Sequence, residues 1–219
     1  MDFTWEIELP ERDKVALGGR RPRGTLVIQT GEGSERISVP VSVLKALDKR
    51  LEGLLIPPAS RAELLFHIKS VSEECAMSRV ARLVDRRDYS QAEIRAKLAE
   101  DGYTPSCVDH VVERASSSGL VDDLRFADVF IRTKVASGWG TARIARELSR
   151  RGIEVADVPG WPLEYLGDDS EADRAYQLVC TRRVPSKNAY PKLVRFLAGR
   201  GFSLGDATRA VSRYLSEQE

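Results

Sequence analysis

The chain has 219 residues, 42% of them hydrophobic and 31% charged, and its 34 basic and 33 acidic side chains leave a net charge of +1; this is the composition of a folded soluble protein of one large or two small domains and excludes a disordered chain. No apolar run approaches the roughly 18 residues of a membrane helix, and Met1-Asp2-Phe3-Thr4-Trp5-Glu6 lacks the basic and apolar regions of a secretory signal, so the expectation is a cytoplasmic protein with no membrane contact. Cys75, Cys107 and Cys180 are odd in number and lack C-x-x-C spacing, which points to small buried apolar side chains rather than a disulfide framework or a zinc site.

The first element alternates: Phe3, Trp5, Ile7 and Leu9 fall on one face and Thr4, Glu6 and Glu8 on the other, the pattern of a half-buried strand. Two β-branched runs, Thr25 to Thr30 and Arg36 to Val41, flank Gly31-Glu32-Gly33-Ser34 and predict a hairpin. The basic stretch Gly18 to Gly24 between them, with Arg20, Arg21 and Arg23, reads as a solvated loop or as a phosphate-contacting arm. A short helix is predicted over Val43 to Leu51, then an irregular link through Pro57-Pro58, then a helix from Ser60 to Val71, with Ser60 and Glu63 as a capping box. A second stripe, Met77, Val80, Ala81 and Val84, opens a different kind of organisation.

From there the chain repeats. Ile94, Leu98 and Gly102 recur 50 residues on as Ile144, Leu148 and Gly152, and 49 further on as Leu193, Leu197 and Gly201, each glycine followed by a large apolar residue (Tyr103, Ile153, Phe202). Self-similarity at this period marks stacked supersecondary units. Each copy reads as three helices. In the first, Tyr89, Ser90, Glu93 and Ile94 combine a capping box with a hydrophobic staple, Gly102 ends the middle helix, and Thr104-Pro105 starts the third. In the second, Asp122-Asp123 lead a helix with Phe126 and Phe130, Trp139 and Gly140 precede the middle helix, and Pro159, Gly160 and Pro162 break the third. In the third, Ala175, Leu178 and Val179 mark the first helix, and Ser203 with Asp206 the last. The expected fold class is mainly α: three tandem three-helix repeats in an elongated curved array behind a small N-terminal β-sheet. The expected divisions are 1–58, a connecting helix at 59–75, and repeats at 76–121, 122–169 and 170–219.

Little here supports catalysis. His67 and His110 are the only histidines and neither sits in a metal-binding or nucleophile-activating pattern; no P-loop or dinucleotide glycine pattern occurs. The expectation is a non-enzyme with no cofactor and no metal. The distinctive residues are basic. Arg86 and Arg87, Arg132 and Lys134, and Arg182 and Arg183 end the first helix of each repeat; Arg143, Arg146, Arg150 and Arg151 cluster on the middle helix of repeat two, and Lys192, Arg195 and Arg200 on that of repeat three. They read either as a binding stripe or as ordinary charges favoured near helix C-termini. Residues 171–219 hold 9 basic and 5 acidic side chains, a modest bias toward an acidic partner.

Arg87-Asp88-Tyr89-Ser90-Gln91-Ala92-Glu93-Ile94, Gly119-Leu120-Val121-Asp122-Asp123 with Arg125-Phe126-Ala127, and Gly138-Trp139-Gly140 through Gly152-Ile153 resemble the RecX family, whose members regulate the RecA recombinase. The resemblance covers about residues 76 to 219. It implies a helical body that lodges in the groove of a RecA filament on DNA; the chain itself is expected to be a monomer. It implies inhibition of filament growth, ATP hydrolysis, strand exchange and RecA-assisted repressor cleavage, in the setting of DNA repair, homologous recombination and the SOS response. The basic residues above are then candidates for contact with RecA or, weakly, with DNA. The chain departs from the pattern in the break at Pro159 to Pro162 and in its nearly neutral charge. The alternative reading is a helical-repeat module that grips nucleic acid directly, through Arg20 to Arg23 and the basic C-terminal repeat.

Overall fold

The computed structural model describes residues 3–10, 22–31, 33–183 and 187–218. It is mainly helical with one small sheet, and it divides into two compact units, Met1–Asp122 and Asp123–Glu219.

The first unit opens with an antiparallel sheet of β1 (Thr4–Glu8), β2 (Arg23–Thr30) and β3 (Gly33–Pro40), in that order across the sheet. Register follows from the alternation. Trp5 lies opposite Ile28, Ile7 opposite Leu26, and Leu26 opposite Ile37, so one face is apolar and meets α1 (Val41–Glu52) through Val43, Leu44 and Leu47, while Glu8 and Arg36 pair on the other. The hairpin is tighter than the predicted loop, because Thr30 and Gly33 already pair. Arg23 is a strand residue, not part of a mobile arm: its guanidinium donates to the Ser38 hydroxyl (3.0 Å) and carbonyl (2.7 Å) and lies against Gly102. The remaining arginines of that arm, Arg20 and Arg21, lie outside the described residues.

The next element spans the expected division at residue 75. A single helix, α2 (Arg61–Val84), runs without interruption through that point, since no glycine or proline falls between Arg61 and Val84. Leu64, Ile68 and Val71 from its first half and Ala76, Val80 and Leu83 from its second join the same core as Leu26 of the sheet and Val112 of repeat one. The N-terminal sheet and the first repeat are therefore one packed body. At the N-terminus the Ser60 hydroxyl accepts from the Glu63 N–H, but the returning bond from Glu63 goes to the Ala59 N–H (2.7 Å), one residue earlier than a capping box requires.

The helices α3 (Gln91–Asp101) and α4 (Pro105–Ser117) form as their signals demand. Ser90 and Glu93 make the full reciprocal box around a fully buried Ser90, Gly102 adopts a left-handed φ of 91°, and Thr104 caps the Cys107 N–H with Pro105 at N1. Arg79 on α2 bonds Asp101 at the end of α3 (2.7 Å), with both side chains largely buried. Of the cysteines, Cys107 is buried, and burial pushes its thiol up to about 11; Cys75 is half-buried. Cys180 is exposed, contrary to expectation. It ends its helix just past the buried Ala175 and Val179.

The second unit contains α5 (Asp123–Ala136), α6 (Thr141–Ser149), a 3-10 turn at Val155–Asp157, the four-residue α7 (Leu163–Leu166), α8 (Glu171–Cys180), α9 (Ala189–Arg200) and α10 (Leu204–Ser216). The third helix of repeat two is broken as predicted, with Gly160 at φ 74° and a cis bond at Trp161-Pro162. Repeat two packs around Phe126, Ile131, Ile144 and Leu148, repeat three around Val179, Leu193, Leu197 and Val211. Ser170 and Ser203 cap α8 and α10. Their hydroxyls bond Asp173 and Asp206 and hold both carboxyls below the usual carboxylate range. A lowered carboxyl contributes stability above its unfolded pKa and loses it as pH falls through the folded value. Circular dichroism of an acid titration is expected to show stability declining through the carboxylate range, with a shallower decline in Ser203→Ala.

Two glycines join repeats two and three. The Gly140 N–H, at the start of α6, donates to the Arg200 carbonyl (3.0 Å) at the end of α9, and a side chain on Gly140 would overlap the Gly201 carbonyl. Gly140 has an ordinary φ of −78°, so alanine there tests sterics alone. Gly140→Ala is expected to cost about 1–3 kcal/mol. Gly199→Ala, where an added methyl meets nothing within 4 Å, is expected to stabilise by roughly 0.5–1 kcal/mol. Urea denaturation of the two variants, shifting in opposite directions, checks the assignment.

Candidate interaction surface

The basic residues separate into those the fold consumes and those it leaves to solvent. In repeat one, Arg87 follows α2, bonds both Glu93 oxygens (3.2 and 3.3 Å) and the Asp88 carbonyl, and stacks 3.6 Å over Tyr89. Tyr89 is thereby fixed in a structural position, half-buried against the core. Arg86 beside it is exposed. In repeat two, Arg132 bonds Asp128 (3.0 Å) and reaches over Tyr165, while the Lys134 ammonium lies 5.3 Å from the Phe130 ring centre and 4.9 Å from that of Trp139. Both cations stand in the last turn and a half of α5, where the helix dipole favours them.

Trp139 is the centre of this cluster. Its ring meets Phe130 edge-on at 6.4 Å and carries the Arg143 guanidinium at 3.8 Å on α6. Arg143 then donates to the Gly199 carbonyl (3.2 Å), and Arg200 donates back to the Ser137 carbonyl (3.1 Å). Each repeat thus supplies an arginine that caps the unsatisfied carbonyls ending a helix of the other. Arg150 and Arg151 share Glu147, and Arg151 also bonds its carbonyl (2.6 Å). Arg146 is exposed and has no ion-pair partner among the described residues. In repeat three, Arg182 stacks 3.9 Å over Phe196, whereas Arg183, Lys192 and Arg195 are exposed.

Sequence reasoning missed the most deeply held cation of the unit. Arg174 on α8, with a side chain only 9% exposed, pairs with Glu171 and donates to the Trp139 (2.8 Å) and Val135 (3.4 Å) carbonyls. Nothing in its spacing distinguishes it from a surface arginine; the one local signal is Glu171 three residues before it. Glu171 in turn accepts from the Thr141 N–H (3.1 Å), the first residue of α6, so one ion pair ties α5, α6 and α8.

The repeat register also exposes a polarity. Arg143 and Lys192 align with Glu93 of repeat one, Arg146 and Arg195 with Ala96, and Arg151 and Arg200 with Asp101. The middle helix is basic in the second unit and carries carboxylates at two of the three matching places in the first. Among the described residues no group of three or more His, Cys, Asp or Glu is placed to hold a metal, and no helix is long and apolar enough to cross a membrane.

The fold and this surface define a protein of tandem three-helix repeats, and the comparisons give the class its name. Residues 76–114 match the first three-helix domain of RecX and residues 122–158 the second. The chain is 34% identical over 155 residues to the regulatory protein RecX of Halorhodospira halophila, covering 68% of this chain and 92% of that protein. It is 32% identical over 169 residues to the regulatory protein RecX of Mycobacterium ulcerans, covering 74% and 94%. A crystal structure of regulatory protein RecX superposes with a TM-score of 0.55 at 20% identity, over 83% of this chain and 92% of that one, and RecX from Lactobacillus salivarius with 0.53 at 14%, over 67% and 99%; these two share the fold. This chain belongs to the RecX family.

The division between consumed and exposed cations is testable by stability alone. Arg174→Met leaves Glu171 and two carbonyls without their partner and is expected to cost about 3 kcal/mol. Arg146→Ala is expected to stay within about 0.5 kcal/mol of the parent. Urea midpoints of the two variants measure the difference.

Proposed function

We propose that this protein is a regulator that binds RecA filaments on DNA and restrains them, limiting filament extension, ATP hydrolysis, strand exchange and RecA-assisted repressor cleavage, without catalysis of its own. The reading places it among the controls on homologous recombination, DNA repair and the SOS response. The observation that carries it is family membership across both RecX three-helix domains, with relatives that are named regulatory proteins. The physical support is a second unit whose repeats are tied together by backbone and arginine contacts, so that exposed cations on α6 and α9 are presented from a firm body. A partner carrying acidic surface or phosphate suits them.

The geometry reorders the candidates for contact. Arg143 and Arg151 serve the fold and make poor probes; Arg146 on the same helix is exposed and the clean one. Titrated into the host's RecA on single-stranded DNA at fixed salt, the protein is expected to slow ATP hydrolysis. Arg146→Glu is expected to raise the concentration for half-inhibition several-fold with unchanged folding. A folded protein that leaves hydrolysis untouched at every ratio would reject the RecA reading, and full inhibition by Arg146→Glu would reject the site.

A further inference from the structure

Charge in the second unit is sorted along the chain. The 22 residues from Gly152 to Asp173 hold seven aspartates and glutamates and no arginine or lysine, and the next 32, from Arg174 to Gly205, hold seven arginines and lysines and no aspartate or glutamate. Consecutive blocks of opposite sign could neutralise each other, yet among the described residues a single ion pair joins them, Arg174 with Glu171. Asp173 turns instead to Arg213, outside both blocks. Among the described residues Glu154, Asp157, Glu164, Asp168 and Asp169 are exposed with no cation paired to them, and Arg183, Lys187, Lys192 and Arg195 are exposed with no carboxylate. Elsewhere in the unit charges pair locally, Arg132 with Asp128, Arg150 and Arg151 with Glu147, and Arg209 with Asp206. Like charges left together repel one another, and both blocks are relieved only by counter-charge from outside the chain.

The blocks are built differently. The acidic one follows the broken third helix of repeat two, where Pro159, Gly160 and Pro162 leave only a 3-10 turn and the four-residue α7, so its carboxylates stand on short turns. Leu163, at the start of α7, is 77% exposed among them. In the basic block Lys192 and Arg195 stand one turn apart on α9, off the buried stripe of Leu193 and Leu197. Leu204, at the start of α10, is 67% exposed at the end of that block. Each block therefore sets an exposed leucine beside charges of one sign, and the two signs are opposite. An apolar centre with a charged rim is the make-up of a protein interface, and here both complementary halves belong to one sequence. A polyanion would satisfy the basic block and be repelled by the acidic one; a second copy of this chain answers both.

We propose that copies of this protein associate with one another through these blocks, Asp168, Asp169 and Leu163 of one copy meeting Lys192, Arg195 and Leu204 of the next. The contact needs neither RecA nor DNA and is tested without them, by sedimentation velocity of the full-length protein over a range of concentrations. At about 50 mM salt the sedimentation coefficient is expected to rise with protein concentration, and at about 500 mM, where exposed charges are screened, to stay at the monomer value. Asp168→Lys/Asp169→Lys and Lys192→Glu/Arg195→Glu are each expected to weaken association at least about tenfold at low salt, because each sets like charges opposite one another. An equal mixture of these two variants is expected to restore association, since their faces are complementary again. Lys45→Glu/Lys49→Glu, on α1 of the other unit, changes the net charge by the same amount as the second variant and is expected to associate as the parent does. Circular dichroism confirms that each variant is folded. A parent that remains monomeric at low salt, parent-like association by either reversed variant alone, or a mixture that stays monomeric overturns the proposal. Loss of association in Lys45→Glu/Lys49→Glu overturns it as well, because net charge rather than these faces would then govern. Each of these results leaves the regulatory reading standing.

Discussion

The second unit depends on a place where two backbones touch. Gly140 at the start of one middle helix lies against Gly201 at the end of the next, and its N–H bonds the carbonyl of Arg200. A helix end leaves carbonyls unsatisfied and a helix start leaves N–H groups unsatisfied; bringing one of each together answers both needs at once. It is possible only when neither contact residue carries a side chain in the way. The left-handed φ of 95° at Gly201 adds a second reason for glycine there. Arg143 and Arg200 cross the same seam in opposite directions and complete the capping. The first unit resolves the matching glycine differently, since Gly102 faces the guanidinium of Arg23 from the sheet.

That seam explains why a count of basic residues misleads. Arginine serves two purposes here, and they cannot be told apart by position on a helical wheel. Arg143, Arg174 and Arg200 spend their guanidinium donors on main-chain carbonyls and their planes on aromatic rings, which suits the planar, five-donor group. Arg146 and Arg195, at the same register position of consecutive repeats, point their charge outward. A nearly neutral chain can therefore present a basic face. Carboxylates stand instead at two α3 positions, Glu93 and Asp101, whose matches in the later repeats are cations.

What the sequence made legible was local. The capping box at Ser90 and Glu93, the left-handed Gly102 and Gly201, the Thr104-Pro105 start and the break at Pro159 to Pro162 are written within a few residues and reappear as read. The two apolar stripes read on either side of residue 75 belong to one helix, α2, whose halves join one core. Cys180 was misplaced by one position on a helix, and Arg23 by mistaking a strand residue for a loop. The ties between repeats were not legible at all. Arg174 acts on carbonyls 35 and 39 residues away, and no spacing rule reports such a contact.

We propose that the cations tying the repeats together and the cations facing a partner are different residues. This is tested most directly by measuring thermal stability and RecA inhibition on one series: Arg143→Ala and Arg200→Ala against Arg183→Ala and Arg195→Ala. The first pair is expected to lower the melting temperature, and the second to leave it unchanged while weakening inhibition. Loss of inhibition that simply tracks loss of stability across all four would contradict it.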